Sequence, residues 1–462
     1  MTDFIVPELL SRAASPSITP TPPVRIVHLG LGAFHRAHQA WYTSRAVDAH
    51  EWGIAAFTGR SAELAERLGA QDGVYTLIER GPAGDRFELV SSIVEVHAGD
   101  DVDRFAELLA DPRVVVLTLT ITEAGYRLRG DSTLDLDDAG TVHDMAALTE
   151  HLASDGASAP LLTTALGKIV LALDGRRRLG APTLAIVPCD NIPGNGQVLA
   201  AALSTLTHRV SPALAEWMTT GVSVVSTSVD RITPRETPTD AATVLDGTGR
   251  VDRAPVVTEA FSDWVLSGDF PSGRPGWETA GARFVDDIEP WEARKLWLLN
   301  GAHTLLAALG PLRGHHTVAE AVADPVCRSA VETLWDEASR HLPDLELDSY
   351  RDALLARFEN PRIEHRLAQI ALDAETKLRH RIVPVALRER AARRSGSGCA
   401  LAVAAWIAAT SRDAESAGSA PVGSDVTRSA IARLDLGLAG DESFVDEVGR
   451  AARRLMLQEE RG

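Results

Sequence analysis

Cysteine, aromatic residues and positive charge are all scarce in this chain of 462 residues. The three cysteines, Cys189, Cys327 and Cys399, are too far apart for a CxxC metal or redox motif, so we expect inert thiols in a reducing compartment. Acidic residues outnumber basic ones by 64 to 46, and the net charge of −18 argues against binding to nucleic acid or an anionic membrane. The longest apolar run, residues 399–409, is far shorter than the ~20 residues of a membrane span, and the N-terminus does not resemble a signal peptide. We therefore expect a cytoplasmic protein.

Apolar segments alternate with helical segments in the first part of the chain. The predicted strands are residues 24–29, 52–57, 114–120, 183–188 and 222–226. This alternation predicts an open α/β sheet, whereas beyond Pro290 only helical periodicity is recognisable. A chain of this length also exceeds a single core. The sequence thus predicts an α/β protein with a Rossmann-like NAD(P)-binding domain (1–285) and a mostly α-helical substrate-binding and catalytic domain (286–462).

Two glycines, Gly30 and Gly32, stand between the first predicted strand and a predicted helix. Glycines there permit a tight turn and close approach to a pyrophosphate, which the helix N-terminus also attracts. His35 occupies the place of the third glycine of the usual fingerprint, while Arg36 is placed to pair with a phosphate. The alternative is an ordinary glycine turn at a strand end.

The residues after the second predicted strand leave the cofactor type open. Glu63 could hydrogen-bond a ribose 2′-hydroxyl and favour NAD, whereas Arg60 with Ser61 could accommodate the 2′-phosphate of NADP. NAD is the predicted cofactor, with NADP not excluded.

The segment from Glu292 to His303 carries a lysine among apolar residues. At about 100° per residue of a regular helix, Glu292, Lys295, Asn300 and His303 fall within an arc of roughly 140°. Desolvation lowers the pKa of a lysine, which is how Lys295 could become a general base near neutral pH. The alternative is an amphipathic helix whose lysine extends to water.

Five motifs occur in the order found in a known family. They are Gly30-Leu-Gly32-Ala-Phe34-His-Arg36, Thr120-Ile-Thr122-Glu-Ala-Gly-Tyr126, Asp190-Asn191-Ile-Pro-Gly-Asn-Gly196, Val229-Asp230-Arg231 and Lys295…Asn300…His303. With them the chain resembles the polyol-specific long-chain dehydrogenase/reductase (mannitol dehydrogenase) family, which includes mannitol 2-dehydrogenase and fructuronate (mannonate) reductase. The resemblance implies a metal-independent NAD(P)-dependent oxidoreductase, with catalysis in a cleft between the domains and Phe34, Thr120 and Thr122 in the cofactor site.

The resemblance also implies catalytic roles. Lys295 would be the base in alcohol oxidation and the acid in ketone reduction, and Asn191 and Asn300 would donate hydrogen bonds to the developing alkoxide. His303 would orient a substrate oxygen, and Glu292 would pass the proton to solvent. Asp230 would help to fix this polar network. For Asp190 and Arg231 we expect a structural ion pair beside the site.

Residues 365–381 are rich in cations. If the segment is one helix, Arg366, Asp373, Lys377 and Arg381 share a face. By the resemblance Lys377 and Arg381 bind substrate, which slightly favours a carboxylate-bearing pair such as D-mannonate and D-fructuronate. The alternatives are cations that pair with neighbouring acidic residues, and a neutral substrate such as mannitol or arabinitol.

Two other classes of protein remain possible. A zinc-dependent polyol dehydrogenase would need a ligand set that the cysteine spacing does not provide, so no metal is expected. A nucleotide-sensing binding protein could share the fold, but the joint presence of Lys295, Asn191, Asn300 and His303 favours an enzyme. We expect a monomer or small homo-oligomer.

Overall fold

The computed structural model describes residues 8–15, 20–59, 61–153, 159–415 and 424–459. The chain divides into two units, Met1–Ile288 and Glu289–Gly462, close to the division predicted after residue 285. Across the described residues, no helix combines the length and the apolarity that crossing a membrane requires.

The first unit is built around a parallel sheet. The strands are β1 (Val24–Leu31), β2 (Gly53–Thr58), β3 (Tyr75–Gly81), β4 (Gly84–Val90), β5 (Ile93–His97), β6 (Val116–Leu119), β7 (Leu184–Pro188), β8 (Val222–Val224), β9 (Ser226–Asp230), β10 (Val256–Thr258), β11 (Asp263–Ser267) and β12 (Arg283–Phe284). The main sheet has the order β5-β2-β1-β6-β7-β8, and all its neighbours are parallel. The strand order reverses at β1, so the carboxyl ends of β1 and β6 form the switch point at which such sheets bind dinucleotides. The predicted Rossmann-like fold is confirmed.

All five predicted strands lie in this sheet, but its edge strand β5 was not predicted. Two smaller sheets, β10-β3-β4 and β12-β11-β9, were also missed. In the β3–β4 hairpin, charged residues such as Glu79 and Arg86 stand opposite each other, which shortens the apolar run that a pattern search detects.

Helices cover both faces of the main sheet. They are α1 (Ala33–Ala37), α2 (Gln39–Arg45), α3 (Glu63–Gly69), α4 (Val102–Ala110), α5 (Ala139–Ala153), α6 (Ala165–Leu179), α7 (Asn195–Val210), α8 (Pro212–Gly221) and α9 (Pro238–Thr248). On one face Val27 and Leu29 belong to a core with Phe105 of α4. On the other face Ile26 belongs to a core with Trp41 of α2. Burial on both sides explains why the strands read as continuous apolar runs.

The described residues of the second unit form helices. They are α10 (Glu289–Arg294), α11 (Gly301–Leu312), α12 (Val318–Ala323), α13 (Pro325–Ser339), α14 (Leu347–Phe358), α15 (Leu367–Ile370), α16 (Ala374–Arg381), α17 (Val383–Ala391), α18 (Ser397–Glu415), α19 (Ser424–Leu434), α20 (Leu436–Gly440) and α21 (Glu442–Glu459), with a π-helical turn, Lys295–Asn300, between α10 and α11. A mostly helical second unit is confirmed.

The cation-rich segment is not the single helix that a shared face of its charged residues requires. The cation-rich segment is interrupted between α15 and α16, where Asp373 has a φ of +54°. Arg366 precedes α15 and pairs with Glu364 at 2.6 Å. A left-handed residue cannot continue a right-handed helix, so Arg366 and Asp373 do not share a helical face with Lys377 and Arg381.

Candidate active site

The glycine turn lies at the switch point of the parallel sheet. Gly30 has a φ of +111°, and a Cβ there would lie 2.1 Å from the carbonyl oxygen of Thr120. Gly32 is the N-cap residue immediately before α1, and a Cβ there would meet only the Gly30 oxygen, at 3.6 Å. Chain packing therefore requires the first glycine, while the second leaves open space in front of a helix. This arrangement fits the approach of a pyrophosphate.

We expect Gly30→Ala to destabilise the first unit strongly and Gly32→Ala to have little effect on stability. The Gly30 conformation costs a side chain about 1–3 kcal/mol before its clash with Thr120 is counted. The Gly32 substitution adds only an ordinary contact, so its cost should be about 0.5 kcal/mol or less. Thermal unfolding of the two variants measures the difference, and equal melting temperatures would contradict this account of the turn.

Three further predicted residues lie at the carboxyl edge of the sheet. Thr120 follows β6, is half-buried, and donates its hydroxyl to the Gly30 oxygen at 2.8 Å. Thr122 is exposed and precedes a short 3-10 turn, Glu123–Tyr126. Asn191 is exposed and follows β7, the next strand of the sheet. The parallel sheet thus brings residues from two of the motifs to the edge that carries the glycine turn.

Buried polar neighbours hold the loop that carries Asn191. The Asn195 amide donates to the carbonyl oxygens of Asp190 at 3.1 Å and Thr227 at 2.8 Å, and accepts from the Thr227 N–H at 2.9 Å. The hydroxyl of Tyr126 donates to the Asp190 carboxyl group, and burial raises the pKa of Asp190 to about 7. The positioning roles of Asn195 and Tyr126 were not predicted, although both lie within quoted motifs.

The predicted ion pair between Asp190 and Arg231 is wrong. The guanidinium of Arg231 donates to the carbonyl oxygens of Ala37 at 2.6 Å and Glu259 at 3.1 Å. It also lies over the Trp41 ring, 4.3 Å from the centroid. Arg231 thus serves the packing of the first helices, while Asp190 bonds to Tyr126. Asp230, the last residue of β9, is buried and stands opposite Asp263 of β11.

Arg36 is fully enclosed by the chain. Its guanidinium donates to the carbonyl oxygens of Ala254 at 2.5 Å and Pro255 at 3.3 Å, and its Nε donates to Gly32 at 3.3 Å. Burial lowers the pKa of Arg36. These contacts favour a structural role beneath the glycine turn, and the predicted phosphate contact stays a prediction.

The other residues predicted for the cofactor are less constrained. Phe34 is half-buried, with its ring centroid 5.0 Å from that of His38. Glu63 is exposed at the first residue of α3 and lies 3.9 Å from Arg67. Arg60 lies outside the described residues, and its predicted role stays a prediction.

In the second unit, Lys295 begins the π-helical turn. Glu292, Lys295 and Asn300 are all half-buried. A π-turn closes i→i+5 hydrogen bonds instead of i→i+4, and such turns are frequent at functional sites. The angles predicted for a regular α-helix therefore do not apply between Lys295 and Asn300. The partial burial of Lys295 agrees with the desolvation expected from its apolar neighbours.

His303 is a neutral buried histidine. Its ring centroid lies 4.7 Å from that of His365 and 4.9 Å from that of Phe358. Burial, followed by the nearby charges of His365, Arg357 and Arg381, holds the pKa of His303 well below its usual range. Its Nε2 is buried and has no hydrogen-bond partner among the described residues. A neutral ring with an unsatisfied nitrogen fits the predicted role of binding a substrate hydroxyl. Arg357 and His365 were not singled out from the sequence.

Arg381, the last residue of α16, contacts Asn300 and Thr304. Its Nη1 donates to the Thr304 hydroxyl at 3.1 Å and to the Asn300 carbonyl oxygen at 3.4 Å. Burial lowers the pKa of Arg381, as expected for a cation in a partly desolvated position.

Lys377 makes different contacts from Arg381, although both residues are on α16. The Lys377 amine donates to the carbonyl oxygens of Ile370 at 3.0 Å and Leu372 at 2.6 Å, where α15 ends. A lysine that satisfies the last carbonyls of a helix has a structural use. Substrate binding by Lys377 stays a prediction that these contacts do not favour.

One cluster among the described residues has ligand types suited to a metal ion. Atoms of His315, Asp324 and Cys327 lie within 4.8 Å of one another. The guanidinium of Arg313 donates to Asp324 at 2.5 Å, and this contact contributes to a lowered pKa of the Asp324 carboxyl group. A fixed guanidinium on the only carboxylate of the cluster favours an ion-pair network over a divalent cation. None of the predicted catalytic residues belongs to this cluster.

The first unit has a glycine turn at the switch point of a Rossmann-type sheet. The second unit is helical and carries a half-buried lysine and a neutral histidine. Together these features define a dinucleotide-dependent dehydrogenase. The mannitol dehydrogenase Rossmann domain matches residues 24–279, and the mannitol dehydrogenase C-terminal domain matches residues 287–436. The chain belongs to the mannitol dehydrogenase family.

Relatives with different names are similar to this chain. The D-mannonate oxidoreductase of Escherichia coli is 36% identical over 398 residues, which cover 83% of this chain and 79% of that protein. The mannitol 2-dehydrogenase of Cereibacter sphaeroides is 33% identical over 391 residues, which cover 82% and 80%. The structure of Pseudomonas fluorescens mannitol 2-dehydrogenase, a ternary complex with NAD and D-mannitol, is 28% identical and superposes with a TM-score of 0.76, covering 98% of this chain and 99% of that one.

Proposed function

We propose that this protein is a metal-independent, NAD-dependent oxidoreductase that interconverts a secondary alcohol and a 2-keto-uronate, with D-mannonate and D-fructuronate as the slightly preferred pair. The observation that carries the carboxylate preference is Arg381, whose guanidinium lies on the backbone of Asn300 and on the side chain of Thr304. A partly buried guanidinium next to the predicted alkoxide donor suits a carboxylate. Similarity to a D-mannonate oxidoreductase supports the same pair.

The chemistry of the residues follows from their types and environments. A nicotinamide cofactor held at the turn of Gly30 and Gly32 would supply the hydride acceptor. Neutral Lys295 takes the hydroxyl proton, and Glu292 passes that proton towards solvent. The amide N–H groups of Asn191 and Asn300 stabilise the alkoxide without a metal. Neutral His303 orients a second substrate oxygen through Nε2.

The alternative is a mannitol 2-dehydrogenase or another polyol dehydrogenase, such as one for arabinitol. Similarity over 98% of the chain to an enzyme whose structure is a ternary complex with NAD and D-mannitol supports it. A panel of mannitol, arabinitol, mannonate and altronate, each with NAD and with NADP, separates the candidates through the absorbance of the reduced nicotinamide. Activity on neutral polyols alone would overturn the carboxylate preference.

We expect Arg381→Leu to weaken binding of carboxylate substrates selectively. A hydrogen bond to a charged group contributes about 1.5–3 kcal/mol, so KM for mannonate should rise at least about tenfold. The KM for mannitol should change much less, because it has no carboxylate. Arg379→Leu is the matched control, since Arg379 is an exposed residue of the same helix that pairs with Glu375 at 2.6 Å. Equal effects of the Arg381 substitution on both substrates would contradict the assignment.

A further inference from the structure

A buried histidine of β1 is connected to the glycine turn. The Nδ1 of His28 lies 2.8 Å from the Thr118 hydroxyl, and its Nε2 lies 3.0 Å from the Thr120 hydroxyl. The Thr120 hydroxyl in turn donates to the Gly30 oxygen at 2.8 Å. A hydroxyl has one hydrogen, so Thr120 accepts from His28, and Nε2 carries the ring hydrogen. Nδ1 then accepts from Thr118, so both nitrogens of a neutral ring are used. Burial, which lowers the pKa of His28 to about 3, agrees with this protonation state.

His35 lies flat on His28. The two ring centroids are 3.3 Å apart with an interplanar angle of 13°, and both rings are fully buried. His35 stands where the dinucleotide fingerprint has its third glycine, whose usual role is to let the helix approach the strand closely. Here the stacked imidazoles fill the space between α1 and β1. His35, which departs from the fingerprint, and His28, a polar residue inside an apolar strand, therefore form one stacked pair.

We propose that His28 is a positioning residue for the dinucleotide site: through Thr120 it holds the Gly30 carbonyl and the glycine turn, and its stack with His35 takes the place of the third glycine. The inference rests on the nucleotide binding proposed above. It gives a role to a buried residue that the proposed proton transfer does not use.

The test uses substitutions of His28 in the whole protein. His28→Phe keeps a ring for stacking and removes both nitrogens, whereas His28→Gln keeps an N–H donor within reach of Thr120. We expect His28→Phe to raise the Kd for NADH about tenfold, the value of one well-placed hydrogen bond, and His28→Gln to raise it much less. Fluorescence titration with NADH gives the Kd, and kcat at saturating cofactor should stay near the wild-type value.

A second substitution guards against a His28 variant that fails to fold. Thr118→Val is close in shape, and Thr118 is a buried residue of β6. Loss of its hydroxyl frees the orientation of His28, so the Kd for NADH should rise by a few-fold. An unchanged Kd in the folded variants, with only a lower melting temperature, would overturn the inference and leave His28 a packing residue. Wild-type protein that bound neither NADH nor NADPH would instead overturn the proposed function.

Discussion

Replacement of Lys295 by alanine is expected to lower kcat by about 10²–10⁴-fold, the usual contribution of a positioned general base. Lys295 is half-buried where α10 passes into the π-helical turn, and its neighbours Trp297 and Leu298 are buried. In the proposed mechanism the neutral amine at this position takes the proton of the substrate hydroxyl. The Kd for NADH should change little, because the lysine acts on the reacting hydroxyl.

Lys295→Arg is the matched variant for this experiment. Arginine keeps the length and the charge of the side chain but does not lose its proton in proteins. If Lys295 acts as a base, the arginine variant should be about as inactive as the alanine variant, and an added small primary amine should partly restore the alanine variant alone. Single-turnover measurements over a range of pH would follow the proton transfer. Wild-type turnover of every panel substrate by Lys295→Ala would disprove the mechanism.

The inner strands of the central sheet could be predicted because they are buried on both faces. Segments such as 114–120 and 183–188 therefore appear as uninterrupted apolar runs, and they correspond to β6 and β7. The turn at Gly30 and Gly32 could also be recognised, because strand, turn and helix follow one another within a few residues. The order of the strands could not be predicted from the hydrophobic pattern, because the pairing between β1 and β6 joins residues about ninety positions apart.

The contacts that the sequence did not show join residues far apart in the chain. Arg36 bonds to Ala254, 218 residues on, and Arg231 bonds to Ala37, 194 residues back. A sequence shows that these guanidinium groups exist but not which carbonyl oxygens they meet. The π-helical turn at Lys295–Asn300 is a different case. Its residues are good helix formers, so nothing in their pattern distinguishes i→i+5 from i→i+4 bonding.

The second large effect is expected at the two asparagines. Removing one donor from an oxyanion site typically costs about 10²–10³ in kcat, so Asn300→Ala and Asn191→Ala should each fall in this range. Both residues have backbones that are held in place. The Asn300 carbonyl accepts from Thr304 at 2.9 Å and from Arg381, while Asn195 holds the loop of Asn191. Loss of either amide should therefore remove a donor without moving the chain.

The Asn300→Asp variant separates the effect of losing the hydrogen-bond donor from the effect of changing the shape of the side chain. The carboxylate has nearly the shape of the amide but offers no hydrogen and repels a developing alkoxide, so its kcat should fall further than that of Asn300→Ala. Because the donors act on charge that forms in the transition state, kcat and kcat/KM should decrease together. A variant with raised KM and unchanged kcat would show that the asparagine only binds the ground state. That result at Asn300, with a large kcat effect at Asn191, would assign stabilisation of the alkoxide to Asn191 alone.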